Sequence, residues 1–291
     1  MEKQRKKYEE LTIVDDFMFG KVMRNPKHCK KLLEIVLGIK IRKLAFVDEQ
    51  QSVAPDYRAK GVRIDVYADD DVNTVYAVEM QTRNTGELPL RSRYYQAVID
   101  INMIEKGMDY EELGKNYIIF ICTFDLFGKG RHIYHFGNLC LEDTTIRLND
   151  GTEKIFLNTK GKMNDADEEL INLLKYFDSM KPQDAFTEEL DKEVLAARQH
   201  KKWRQEYMSY AVTMRLCKRE GIAEGKIEAK IEQVCRKLKK GKTLETIAEE
   251  LEEDNIDTVQ RICDIAKKYA PNYDVEGILE EYVEKYLEEL V

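Results

Sequence analysis

The chain has 291 residues, of which 43% are hydrophobic and 35% are charged, and its formal net charge is −8. This length is sufficient for one large globular domain with an additional smaller region. The most apolar stretch, Tyr117–Phe124, is only as long as a strand, and no secretory leader is visible. We therefore expect a cytoplasmic protein that makes no membrane contact.

The charge is distributed unevenly along the chain. Residues 1–160 contain 25 basic and 25 acidic side chains, whereas residues 161–291 contain 22 and 30. The first 43 residues contain 12 basic and 6 acidic side chains. Phosphate contacts need positive charge locally rather than over a whole protein. The balance disfavours a protein that coats nucleic acid and is compatible with an enzyme that touches it locally, although a solvated helix face is the simpler explanation of the basic segment.

The first part of the chain predicts two helices followed by a strand. The helices cover Asp15–Arg24 and Lys27–Leu37, and either Asp15 or Asp16 can cap the first one. The strand covers Leu44–Val53, which is rich in apolar residues.

A β-hairpin is predicted next, from Arg63–Ala68 and Thr74–Gln81. The residues between the two strands favour a tight turn: Asp69, Asp70, Asp71 and Asn73. A turn centred near Asp71 places Asp65 opposite Val78 or Glu79, and opposed Cβ atoms on one sheet face are about 4.5–5.5 Å apart. The hairpin can therefore bring the carboxylates of Asp65 and Glu79 together beside the carboxamide of Gln81.

Two carboxylates this close raise the pKa of one of them or require a cation. Magnesium prefers oxygen ligands and usually takes one or two carboxylates together with water and phosphate oxygens. The alternative is structural: Asp65 faces solvent beside Arg63, and Glu79 pairs with a neighbouring cation. The spacing of the residues leaves both interpretations open.

A third helix is predicted over Leu90–Lys106, with Arg91 and Arg93 in its first turn. Cations at that end oppose the helix dipole, so they indicate an acidic partner, either a protein carboxylate or a phosphate. Further strands are predicted downstream of this helix: Tyr117–Phe124, Arg131–Phe136, Thr145–Leu148 and Lys154–Leu157.

The rest of the chain predicts helices only. Their ranges are 164–180, 187–219, 221–240, 243–252, 257–268 and 275–290. Ile227, Ile231, Val234 and Leu238 repeat at coiled-coil spacing, but two heptads are too few to establish a coiled coil. The helices over 243–268 could imitate a helix-turn-helix. A structural or pairing role is favoured over base readout, because Arg261 is the only central cation of the second helix.

An Asp on one strand and Glu-x-Gln on the next, followed by a helix, resembles the core of a PD-(D/E)XK nuclease. The chain around this core, a little over half of its length, resembles the recombination-promoting nuclease, or transposase, branch of that superfamily. The matching segments keep their order over residues 10–161: Asp16-Phe17-Met18-Phe19, Arg63-Ile64-Asp65-Val66, Glu79-Met80-Gln81, Arg91-Ser92-Arg93-Tyr94-Tyr95, Tyr117-Ile118-Ile119-Phe120-Ile121 and Leu157-Asn158-Thr159-Lys160-Gly161.

The resemblance implies an α/β fold, with a mixed sheet flanked by helices and an all-helical C-terminal region. We expect a nuclease-like domain over residues 1–161, a helical extension over 162–220 and a helical tail over 221–291. The tail is the candidate surface for homo-oligomer formation.

The resemblance also implies a DNA endonuclease that depends on Mg²⁺, with Mn²⁺ as a substitute. Asp65 and Glu79 would hold the metal, with Asp16 as a further candidate ligand, and Gln81 would complete the catalytic set by orienting a water or a phosphate oxygen. The substrate contacts would be Arg91, Arg93 and Tyr95. The wider superfamily usually has Lys where this chain has Gln81. The alternative is therefore a weak or inactive nuclease-fold protein that acts in nucleic-acid binding or assembly.

Overall fold

A computed structural model of the chain describes residues 6–53, 62–104, 107–251 and 256–290. The last two residues of the third predicted helix, Glu105 and Lys106, lie outside the described residues, as does Glu252. The chain forms two compact units, Met1–Gln205 and Glu206–Val291.

The first unit contains a six-stranded mixed sheet. Its strands are β1 Leu44–Val53, β2 Val62–Asp70, β3 Val75–Gln81, β4 Asn116–Cys122, β5 Ile133–Phe136 and β6 Thr152–Asn158. Their order across the sheet is β1-β2-β3-β4-β6-β5. The pairs β3–β4 and β4–β6 are parallel, and the other three pairs are antiparallel. The expected mixed sheet flanked by helices is confirmed.

Five helices of the first unit accompany the sheet: α1 Asp16–Met23, α2 Pro26–Leu37, α3 Leu88–Met103, α4 Glu168–Ser179 and α5 Ala185–Arg198. Helix α3 provides the crossover that the parallel pair β3–β4 requires. Its residues Tyr95 and Val98 pack in one core with Val75 and Ala77 of β3 and Phe120 of β4. Side chains alternate along a strand, so the face of β3 that carries Val75 and Ala77 also carries Glu79.

The predicted strand Thr145–Leu148 is wrong. The only pairing of these residues within the described part of the chain is an isolated bridge between Leu139 and Arg147. Asp143 accepts hydrogen bonds from the backbone N–H and the hydroxyl of Thr145, at 3.0 and 2.7 Å. This local bonding competes with strand pairing.

The predicted helix over residues 187–219 is wrong in extent, because the segment contains parts of two helices, α5 and α6 Lys201–Leu238. The break follows Arg198, whose Nε donates to the Leu11 carbonyl at 2.8 Å, while the Tyr8 hydroxyl donates to the Ala197 carbonyl at 2.6 Å. Helix α6 then continues through Gly221, so the predicted separate helix beginning there is also wrong. One glycine costs a helix only about 1 kcal/mol relative to Ala, too little to end a helix of this length.

The second unit is helical where it is described. The later part of α6 packs with α7 Leu244–Glu250, α8 Ile256–Ala266 and α9 Val275–Leu290. Its core contains Ile231, Val234, Ile247, Val259, Ile262 and Ile278. The guanidinium of Arg261 lies 4.5 Å from the centroid of the Tyr286 ring, which is a contact within the unit. Within the described ranges, every helix is too short or too polar to cross a bilayer.

Candidate nuclease site

The turn between β2 and β3 fixes the register of the hairpin. Asp70 Oδ1 accepts hydrogen bonds from the backbone N–H groups of Val72 and Thr74, at 3.0 and 2.9 Å. Its Oδ2 accepts one from the Tyr76 hydroxyl at 2.8 Å. The strands then pair with Val66 opposite Val78, so Asp65 and Glu79 occupy the next position on each strand. This is one of the two registers expected from the sequence.

Asp65 and Glu79 bridge the two strands through their side chains. The backbone N–H of Asp65 donates to Glu79 Oε1 at 3.1 Å, and the backbone N–H of Met80 donates to Asp65 Oδ2 at 2.9 Å. These two bonds continue the hydrogen bonding of the hairpin beyond its last paired residues, Val66 and Val78. Both side chains are buried, with 9% of Asp65 and 2% of Glu79 exposed.

Three further predicted residues join this pair. Glu79 Oε2 accepts hydrogen bonds from Gln81 Nε2 at 3.1 Å and from Arg91 Nη2 at 2.9 Å. Arg91 Nη1 also donates to Gln81 Oε1 at 3.2 Å, and its Nη2 donates to the Tyr95 hydroxyl at 2.7 Å. Arg91 and Tyr95 are four residues apart on α3 and therefore lie on one face of it. We call the group of Asp65, Glu79, Gln81, Arg91 and Tyr95 the acidic cluster.

The electrostatics of the acidic cluster favour a cation. Burial raises the pKa of Asp65 to about 7, against the lowering effects of its hydrogen bond from Met80 and of the charges on Arg63 and Arg91. Burial and the charge of Asp65 together raise the pKa of Glu79 well above its ordinary value. Arg91 pairs with Glu79, and the charges of Arg63 and Arg91 lower the pKa of Asp65 by less than its burial raises it, so the ionised forms of the two carboxylates are incompletely compensated.

The other two predicted site residues lie outside the acidic cluster. Asp16 is exposed at the start of α1, and its Oδ1 accepts the backbone N–H of Phe17 at 2.7 Å. It is near enough for its charge to raise the pKa of Asp65. Arg93 is exposed and has no hydrogen bond or ion pair with any residue that the structure describes.

The structural alternative is confirmed for Glu79, which pairs with a neighbouring cation, Arg91, and is wrong for Asp65, which is buried. Of the two partners expected for Arg91, a protein carboxylate or a phosphate, the structure shows a carboxylate. The guanidinium also lies 5.3 Å from the ring centroid of Tyr95 and 5.6 Å from that of Phe120. The i, i+4 spacing of Arg91 and Tyr95 was a usable signal for their mutual contact, whereas the contact with Glu79 depends on how α3 packs on the sheet.

The donor set fits a hard divalent ion. The acidic cluster offers carboxylate oxygens from Asp65 and Glu79 and a carboxamide oxygen from Gln81, which is the type of ligand that Mg²⁺ takes. Asp65 Oδ1 accepts no hydrogen bond from a described residue. Among residues 6–53, 62–104, 107–251 and 256–290, no group of three or more His, Cys, Asp or Glu side chains is arranged to hold a metal. Water and substrate oxygens would therefore have to complete the coordination.

A known protein family matches this chain. The model of the PD-(D/E)XK nuclease family transposases matches residues 15–224. The matched span contains all six strands and all five residues of the acidic cluster. No curated protein and no solved structure matches the chain.

Proposed function

Because the match covers more than two thirds of its residues, this chain belongs to the PD-(D/E)XK nuclease family transposases, and on this premise we propose that it is a metal-dependent endonuclease that hydrolyses phosphodiester bonds in DNA. The observation that carries the proposal is the buried pair of Asp65 and Glu79, which is held between two strands with incomplete charge compensation. Burying two carboxylates costs stability unless a cation accompanies them. The arrangement therefore favours a role in binding a cation over a purely structural role.

Asp65 and Glu79 are the proposed ligands of Mg²⁺, or of Mn²⁺ in its place. A bound divalent ion would supply positive charge for the developing phosphorane and would lower the pKa of an attacking water. Gln81 is uncharged and cannot act as a base. Its proposed role is to orient that water or a phosphate oxygen by hydrogen bonds. Asp16 supplies negative charge near Asp65 and is a candidate outer ligand.

Arg91 is the proposed contact to the substrate phosphate. It is held by the Tyr95 hydroxyl and by Glu79. When Glu79 binds a cation, the guanidinium loses part of its attraction to that carboxylate and can turn to a phosphate oxygen, for which its planar donors are well suited. Tyr95 would then position Arg91, and Arg93, which is exposed on the same helix, would contact a phosphate further along the DNA.

The test is cleavage of supercoiled plasmid by purified protein with Mg²⁺ or with EDTA. Asp65→Asn and Glu79→Gln preserve side-chain size and one acceptor oxygen. We expect each to lower the cleavage rate on the order of 10²–10³-fold, because several kcal/mol of charge stabilisation are lost and about 1.4 kcal/mol corresponds to tenfold. Glu153→Gln, which replaces a carboxylate near the other end of the sheet on β6, should retain the wild-type rate.

Cleavage that persists in EDTA, or that is equal in all variants, would reject the proposal. The rival function is nucleic-acid binding without turnover, and it is favoured by one observation: both oxygens of Glu79 already accept hydrogen bonds. That alternative predicts no heat of Mg²⁺ binding in calorimetry and an unchanged DNA affinity in Asp65→Ala. The proposed enzyme should bind the ion and should lose that heat in Asp65→Asn.

A further inference from the structure

Two loops at the carboxyl ends of neighbouring strands carry a local excess of positive charge. They are residues 123–131, which follow β4, and residues 159–163, which follow β6; together we call them the basic loop pair. Four cations lie in it, Lys129, Arg131, Lys160 and Lys162, against one carboxylate, Asp125. This excess contrasts with the net charge of −8 of the whole chain.

The first loop is built around the Asp125 carboxylate. Asp125 accepts hydrogen bonds from the backbone N–H groups of Phe127, Gly128 and Gly130, at 3.2, 3.0 and 2.7 Å, and from the Tyr134 hydroxyl at 3.0 Å. Gly128 and Gly130 have φ angles of 66° and 71°, a conformation that other residues adopt only with strain. The only acid of the basic loop pair is thus used within it, and Lys129 is presented between two glycines.

The two loops are joined to each other. The backbone N–H of Lys162 donates to the Gly130 carbonyl at 2.8 Å, and that of Met163 donates to the same oxygen at 3.2 Å. The Phe127 ring is fixed against Tyr134 and Phe156, with centroid distances of 4.7 and 5.4 Å. These contacts order the backbone that carries Lys129 and Lys162.

The basic loop pair lies beside the acidic cluster. The backbone N–H of Thr123, which begins the first loop, donates to the Gln81 carbonyl at 3.0 Å. Glu79 pairs with Phe120 on β4, which in turn pairs with Phe156 on β6. These three residues form one row across two strand spacings, or about 10 Å.

Two of the four cations have no acidic partner among the residues that the structure describes. Arg131 pairs with Asp165 at 3.3 Å, and Lys160 pairs with Asp178 at 2.5 Å. Lys129 and Lys162 are exposed, and neither has an ion pair with a residue in the described part of the chain.

Three acids near the second loop are engaged elsewhere. His132 Nδ1 lies 2.9 Å from Asp165, Asp167 caps the backbone of Leu170, and Glu169 pairs with Lys31. The charges of Lys129 and Lys162 are therefore available to a ligand.

We propose that the basic loop pair binds the sugar–phosphate backbone of DNA beside the scissile bond, through Lys129 and Lys162. The inference rests on the proposed nuclease function, since it takes the acidic cluster as the place of cleavage. It assigns the loops a positioning role: they hold a phosphate beside the bond to be cut and contribute no chemistry of their own.

The test is the salt dependence of DNA binding. Fluorescence anisotropy of a labelled duplex would be recorded in EDTA over a range of KCl concentrations, so that no cleavage occurs. Each phosphate contact contributes about 0.9 to the slope of log K against log salt. For the Lys129→Ala/Lys162→Ala double variant, we expect a slope shallower by about 2 and an affinity lower by on the order of tenfold near physiological salt.

Lys115→Ala is the matched control, because this exposed lysine precedes the first residue of β4, at the opposite end of the strand from the loops. Its slope should equal that of the wild type. The Lys129→Arg/Lys162→Arg variant should restore the slope, which would show that charge rather than folding was lost.

A double alanine variant with the wild-type slope would overturn the inference, as would a wild-type protein that does not bind DNA. The proposed nuclease function can fail separately. A wild type that never cuts plasmid, together with the shallower slope of the double variant, would retain the basic loop pair as a DNA contact and reject the enzyme.

Discussion

Asp65 and Glu79 serve the fold and the proposed chemistry at once. Each carboxylate accepts a backbone N–H of the opposite strand, and each is buried. The hydrogen bonds favour the ionised forms, whereas burial opposes them more strongly for both residues. The protein therefore holds two groups whose charge is unfavourable unless a cation is bound.

The raised pKa of Asp65 predicts a pH-dependent stability. In the unfolded chain an Asp titrates near 3.9, whereas in the folded protein the pKa of Asp65 is about 7. Between these values the unfolded state releases the proton first, so the free energy of unfolding should fall as pH rises from about 4 to 7. The stabilisation is complete below pH 4, and up to roughly 4 kcal/mol of it is lost by pH 7.

The measurement is urea denaturation in EDTA between pH 4 and 8. Asp65→Asn should remove the part of this fall that Asp65 contributes, because the amide does not ionise, and should leave the part that comes from the raised pKa of Glu79. Asp143→Asn, which changes an exposed loop carboxylate, should preserve it. A wild type whose stability rises over this range would contradict the assignment of Asp65 as a buried carboxyl with a raised pKa.

For single residues of the site, the sequence predicts where a side chain lies on its strand or helix better than it predicts which residue that side chain contacts. Asp65, Glu79 and Gln81 could be located because strand alternation and turn chemistry act within about twenty residues. The contact between Arg91 and Glu79 joins α3 to β3 and depends on packing that no local pattern encodes. For the same reason Arg93, which shares the helical turn with Arg91, could not be distinguished from it in advance.

At the scale of elements, the turn between β2 and β3 is held from outside the hairpin. Asn73 has a φ of 61°, and its Nδ2 donates to the Glu112 carbonyl at 3.2 Å. Gly114 is so close to this turn that an added Cβ would lie 1.8 Å from the Asn73 carbonyl oxygen and 2.7 Å from Met103 Cε. Because the first of these atoms is backbone, it cannot move aside by a change of rotamer.

We therefore expect Gly114→Ala to destabilise the protein by about 1–3 kcal/mol, the usual cost of overpacking. The turn would have to shift, and the register that brings Asp65 opposite Glu79 would be strained with it. Gly137→Ala is the control, since nothing lies within 4 Å of its added Cβ. The urea midpoints of both variants provide the measurement, and equal midpoints would show that the turn yields freely.

The elements whose extent was predicted wrongly share a cause. Residues 145–148 have a strand-like composition, but Asp143 diverts the backbone of Thr145 into a local turn. Gly221 resembles a helix terminator, yet α6 continues through it because the surrounding residues favour the helix. In both places the conformation that one segment prefers is overridden by interactions of neighbouring residues. Such a preference is worth only about 1 kcal/mol, and a sequence pattern does not include these interactions.

At the scale of the whole molecule, the residues at coiled-coil spacing are buried by packing within their own chain. Ile227, Ile231 and Val234 are buried in the core of the second unit, where they pack with residues of α7, α8 and α9. Their 3–4-residue repeat could be predicted from the sequence. The sequence could not show whether the partner helices belong to the same chain or to a second copy, because both kinds of packing bury the same apolar stripe.

Ile231→Ala tests this assignment. The side chain is fully buried, so we expect a loss of about 2–5 kcal/mol in the second unit. Hydrogen exchange should accelerate for the amides of α6 to α9, and the molar mass by light scattering should stay unchanged. Ile222→Ala, at a half-exposed position of the same helix, should alter neither. A drop in mass with exchange intact would show instead that the repeat joins two copies.

The shortest strand of the sheet also matters for handling the protein. β5 has four residues, lies at the border of the sheet and carries the half-exposed Phe136. A border this short offers few free amide and carbonyl groups to a neighbouring molecule, and such brevity is a common natural defence against intermolecular β-pairing. Lengthening β5, for example by grafting a longer hairpin there, would remove that defence and invite precipitation during concentration.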